Sequence, residues 1–186
     1  MRSIRSRRLA CAITGATLML AVAVPASAHV AIIDGESVPS GGHGTQISFR
    51  VGHGCDGAAT DSVMIQIPEG VTGVKPRWLA GWTAETEPRA AAGASVAPDA
   101  SAEPAEHPEA GVVLWTGGPL PDGQYVDFQM LAVFPETPGA VLYFPVVQRC
   151  GAAEAAWIEI PAEGQDPEEL DFPAPSVTVG EPAEDH

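Results

Sequence analysis

Gln46-Ile47-Ser48-Phe49-Arg50-Val51 alternates apolar and polar residues without a break, and Ser62-Val63-Met64-Ile65-Gln66-Ile67 repeats the pattern until Pro68-Glu69-Gly70 stops it. A period of two sends Ile47, Phe49 and Val51 to one face of an extended chain, and Val63, Ile65 and Ile67 likewise. Both stretches therefore read as half-buried β-strands. Outward from them, shorter runs of the same kind occupy residues 30–33, 74–77, 82–86, 112–116, 125–133, 141–148, 155–160 and 177–179. Gly or Pro punctuates them, with Asp122-Gly123 and Pro138-Gly139 as typical turn pairs. Helical periodicity is nearly absent after residue 28. Many short strands with regular turn signals and no intervening helices predict an all-β sandwich.

The first 28 residues belong to a different regime. Arg2, Arg5, Arg7 and Arg8 precede an apolar run over residues 9–24, which ends in Pro25-Ala26-Ser27-Ala28. A basic region, an apolar region and a small-x-small exit are the three parts of a secretory signal. Ala26 and Ala28 fill the two positions where a signal peptidase needs small side chains, so cleavage is expected to make His29 the new N-terminus. The mature product is then extracytoplasmic, either secreted or held in the cell envelope.

Removal of the signal leaves 158 residues with 5 basic against 24 acidic side chains, a formal charge of −19. Such a chain is repelled by nucleic acid and by anionic membrane, which excludes both as expected partners. No second apolar stretch of membrane-spanning length follows. Cys11 leaves with the signal, and the cut site lacks a lipoprotein arrangement. Cys55 and Cys150 remain, and an even count in an exported chain favours a disulfide between them over a thiolate metal site. Residues 89–110 are mostly Ala, Pro, Glu, Ser and Gly, with Val96 as the sole β-branched residue. They cannot bury enough surface to offset their ordering entropy. The expected organisation is a signal peptide at 1–28, one sandwich domain at 29–180 carrying a flexible insert at 89–110, and an acidic tail at 181–186.

Motifs of common enzymes are missing. There is no GxSxG elbow, HExxH, P-loop or dinucleotide fingerprint. His43, His53 and His107 lack metal-ligand spacing, and Glu103, Glu106 and Glu109 lie in the insert. No catalytic residue is assigned and a non-enzymatic role is expected. What remains is the new N-terminus. The α-amine and Nδ1 of His29 together close one chelate ring, and divalent copper prefers such tetragonal nitrogen and oxygen donors. The amine must lose its proton, which an intrinsic pKa of about 8 makes easy for a strong Lewis acid. A carboxylate would add charge neutralisation, with Asp34 and Glu36 the nearest in sequence.

Several segments together resemble the YcnI-like family of secreted bacterial copper-binding domains. They are His29-Val30, Glu36-Ser37-Val38-Pro39-Ser40-Gly41-Gly42 and Phe49-Arg50-Val51-Gly52-His53-Gly54-Cys55-Asp56-Gly57. Ile67-Pro68-Glu69-Gly70-Val71, Gly81-Trp82, Tyr143-Phe144-Pro145-Val146-Val147-Gln148-Arg149-Cys150 and Trp157-Ile158-Glu159-Ile160-Pro161 continue the likeness. The resemblance implies an immunoglobulin-like, cupredoxin-like β-sandwich and a surface Cu(II) site called a mono-histidine brace. On that basis His29 is the ligand, Glu36 the assisting carboxylate and Trp157 the neighbouring indole. It also supports the Cys55–Cys150 disulfide. Ile158 and Ile160 are expected to face the core and Trp157 the outside, while Trp78, Trp82 and Trp115 are expected to be core residues. The implied function is copper acquisition, trafficking or homeostasis, with a copper permease or a periplasmic copper carrier as partner by analogy. Two other readings stand beside it: an immunoglobulin-like adhesion or interaction module without metal, and a copper oxidase or oxygenase, which would need a second histidine beside His29.

Overall fold

In the computed structural model, residues 29–89 and 109–182 are described. The signal segment, most of the expected insert and the last residues of the tail lie outside them, as does His107.

The alternating stretches fold as read. Ile47, Phe49 and Val51 are buried, as are Val63, Ile65 and Ile67, and each trio lies on the inner face of its own sheet. The first stretch ends β2 (Ser37–Val51), the second lies largely in β3 (Thr60–Gln66), and a two-residue β1 (Ala31–Ile32) precedes them. Next come β4 (Thr72–Pro76), β5 (Trp82–Pro88), β6 (Ala110–Leu120) and β7 (Val126–Phe134). The chain closes with β8 (Val141–Tyr143), β9 (Val146–Cys150), β10 (Ala153–Trp157), a 3-10 turn at Pro167–Glu169 and β11 (Ser176–Pro182).

One sheet has the order β4-β7-β2-β11-β8, with β1 added on β2; the other runs β10-β9-β3-β6-β5. All pairings are antiparallel except β11 with β2, which is parallel. Between the sheets lies one apolar core in which Phe49 meets Phe144 edge-on and Trp82 and Trp115 both pack on Phe128. This is an immunoglobulin-like β-sandwich. Removing such a set of large side chains from water supplies the main driving force for folding.

Three details differ from the sequence reading. The run at 141–148 is two strands, because the chain crosses between the sheets there: the Phe144 amide still donates to Pro175 beside β11, and the Pro145 carbonyl already accepts from Gln66 of β3. Trp78 lies beyond the end of β4 and is 81% exposed, whereas Trp115 is fully buried and Trp82 half-buried. The base of the insert is closed by Arg89. Its guanidinium donates to the carbonyls of Ile67, Pro68, Val71 and Ala110, and its backbone N–H donates to Glu109.

Candidate metal centre

His29 is placed by the short β1. Ala31 and Ile32 pair with Arg50 and Phe49, and the Ile33 amide donates to the Ser48 carbonyl. Asp34 clamps this segment by accepting from both the Ser48 amide and the Ser48 hydroxyl. One of the two carboxylates nearest in sequence is therefore committed to holding the strand. Glu36 is exposed in the bend before β2, and its backbone carbonyl accepts from the Thr178 amide.

The His29 imidazole meets the Trp157 indole edge-on, with ring centroids 5.3 Å apart and an interplanar angle of 85°. Trp157 is only 6% exposed, while Ile158 and Ile160 are about half exposed (49% and 55%). The expected facing is thus reversed. Trp157 is the last residue of β10 and lies directly opposite the buried Val146, which fixes its face. The strand stops there, so alternation carries no information about Ile158 and Ile160. Phe172 covers the indole from a second side at 5.2 Å. It is held by Glu159, whose carboxylate and backbone carbonyl accept from the amides of Phe172 and Ala174.

Beside these rings is a cleft of about 630 Å³, with Asp56, Glu154, Glu168 and Asp171 in its walls. Glu36 does not line it. Glu154 pairs with Arg149 at 3.2 Å. Asp56 belongs to a tight turn in which the Cys55 and Ala58 backbones exchange two hydrogen bonds. Asp56 and Gly57 both take positive φ there (50° and 82°), a conformation Asp-Gly tolerates well. Gly54 allows the close approach, since a Cβ at that position would lie 1.8 Å from the Ala58 carbonyl oxygen. The loop is fixed from three sides. The Cys55–Cys150 disulfide ties it to β9 with Cα atoms 5.7 Å apart, Gln148 donates to the His53 carbonyl, and the Gly54 amide donates to Asp122.

His53 also lines the cleft, with its Nδ1–H donated to the Gly54 carbonyl. Among the described residues, no three His, Cys, Asp or Glu side chains converge into a metal-binding group. A site built from three side-chain ligands is not assembled here. A chelate that takes two nitrogens from one terminal residue would need only His29, which lines the same concavity as the cleft carboxylates. The sequence signal for Asp56 was its Asp-Gly turn after Cys55. Glu154, Glu168, Asp171 and Phe172 gave no local signal, because chain folding alone brings them together.

Fold and cleft define an immunoglobulin-like sandwich domain whose short first strand sets a histidine against a buried tryptophan. The chain belongs to the family described as a domain of unknown function (DUF1775), whose model matches residues 29–179. A crystal structure of an uncharacterized protein from Nocardia farcinica, described as having an immunoglobulin-like fold, is similar to it at 24% identity and a TM-score of 0.60. That likeness covers 82% of this chain and 98% of the other. No curated protein matches the chain. Among the described residues, no helix is long and apolar enough to cross a membrane.

Proposed function

We propose that the mature domain binds Cu(II) outside the cytoplasm through a mono-histidine brace and serves copper acquisition, trafficking or homeostasis as a YcnI-like protein. The observation that carries this reading is the edge-on contact of His29 with Trp157 beside a carboxylate-lined cleft. Its support is threefold. The family match begins at residue 29, the same residue that signal cleavage would make first. Amine and imidazole of one residue suit a tetragonal cupric ion. Carboxylates of the cleft offset the ion's charge, while Glu36, the carboxylate that the resemblance implies, would have to reach it from outside the cleft.

Copper is cargo in this reading and no turnover is involved. The oxygenase alternative gains one observation, since His53 shares the cleft with His29. A three-nitrogen site would take the third nitrogen from His53 Nε2, which stays free to ligate while Nδ1–H is donated to Gly54, and would need that atom brought beside His29.

The test is a Cu(II) titration of two proteins, one beginning at His29 and one with a single glycine ahead of it. Saturable one-to-one binding by the first and loss of that affinity in the second is expected, because the extension converts the amine to an amide. Equal affinity and an unchanged visible spectrum in both would exclude the brace. Oxygen-dependent substrate oxidation by the loaded protein would replace the binder with the oxygenase.

A further inference from the structure

The outer face of the β4-β7-β2 sheet carries a second, chemically different concavity. Beyond residue 28 the chain has five basic residues, and three of them, Arg50, Lys75 and Arg77, belong to this face. Trp78 and Tyr125, at 81% and 62% exposure, stand at one end of it. A groove of about 740 Å³ runs between them, floored by Arg77, Asp127 and Gln129. A smaller one of about 280 Å³, bordered by Gln46, Lys75 and Leu131, shares Arg77 and Gln129 with it. The two adjoin at the Arg77–Gln129 pair, which lines both, and together make up a trough.

Its floor is ordered by the strand register. Leu131, Gln129 and Asp127 on β7 lie opposite Gln46, Ser48 and Arg50 on β2, all on the outer face. Arg50 makes a two-pronged pair with Asp127 at 2.7 and 2.9 Å and stacks over Tyr125 at 4.6 Å. The hydrogen bond that Arg50 donates to Asp127 holds its guanidinium pKa above the ordinary value. Arg77 donates to the Gln129 side chain, which donates in turn to Ser48. These planar groups are held in place before any ligand arrives, which lowers the ordering cost of binding.

We propose that this trough binds a carboxylate-bearing glycan chain, independently of copper. Exposed indole and phenol faces suit the C–H faces of sugar rings, and the fixed Asp, Gln and Arg groups suit ring hydroxyls. Arg77 and Lys75 give the trough positive charge within a protein of opposite sign, so an anionic polymer is drawn here and repelled elsewhere. Two adjoining grooves fit several linked rings. A peptide fits less well: the trough crosses the sheet's face, where β7 is paired on both sides and has no free backbone edge for strand addition.

The test uses the domain beginning at His29, followed by tryptophan fluorescence during titration with tetragalacturonate, hyaluronan octasaccharide, neutral cellotetraose and poly-glutamate. A saturable blue-shift with at least one of the two anionic glycans is expected, weakened at least tenfold in Trp78→Ala and in Arg77→Gln and weakened by added salt. Copper titration of both variants should match the parent, which separates this site from the cleft. No saturable response to either anionic glycan overturns the proposal. Equal binding of cellotetraose overturns the anionic selectivity, and equal binding of poly-glutamate replaces a glycan by an acidic peptide.

Discussion

Trp157 and Trp78 mark the two ends of what this sandwich does with an indole. At the cleft, Trp157 is buried beneath His29 and Phe172, fixed by a strand partner and surrounded by carboxylates. On the outer face, Trp78 stands in solvent beyond the end of its strand, in the same groove as Arg77 and Tyr125. The cleft is built from chain ends and loops far apart in sequence and is held by cross-links. The trough is built from adjacent strands and is held by their register. Different supports should fail under different insults.

Removing the disulfide with Cys55→Ser and Cys150→Ser is expected to have the largest effect. It closes a loop across 95 residues, and the chain-entropy account assigns about 4–5 kcal/mol to a loop of that size. Thermal unfolding should show a midpoint drop of roughly 10–20 °C. Copper affinity should fall in the variant while the trough's register survives. Equal loss at both sites would mean that the cleft and trough are not separately supported.

One glycine ahead of His29 comes next. Copper affinity should drop at least about a hundredfold, equivalent to about 2.7 kcal/mol, with no change in melting temperature. A fall in stability of the same size would show that the terminus acts in folding rather than in binding.

Trp157→Phe is a smaller perturbation, since the ring contact to His29 can be kept. Cation–π attraction of about 0.5–2 kcal/mol implies a severalfold loss of copper affinity, and fluorescence quenching by copper should largely disappear. Persistent quenching would assign it to another tryptophan. The smallest effect is expected for Trp78→Ala, with stability changed by less than about 0.5 kcal/mol in urea unfolding, as for exposed sites in general. A cost near that of burying a large ring would show that Trp78 packs in solution.

The sandwich was legible because its signal is local. Ile47, Phe49 and Val51 announce their face within six residues, and burial confirms each one. His29 was singled out by the expected cut site before it and Trp157 by the family likeness, and the fold sets the two rings edge to edge. The direction in which Trp157 points was not legible, because it depends on where β10 ends and on its pairing with Val146. Trp78 misled for the same reason: a large apolar residue reads as core unless its strand is known to have stopped. The carboxylates of the cleft come from three segments, and only the Asp56-Gly57 turn leaves a trace in sequence. Asp34 and Glu36 were nearest in sequence, yet folding put other acids beside the rings.

Arg89 has a consequence for how this chain can be altered. Its side chain and backbone join the two feet of the intervening segment to the ends of β3 and β6, so the sandwich is sealed below that point. The scaffold therefore closes at Arg89 and Ala110 independently of the chain that joins them, so a foreign peptide inserted between these two positions should leave the sandwich's melting temperature nearly unchanged. Arg89 itself is the position such an insertion must spare.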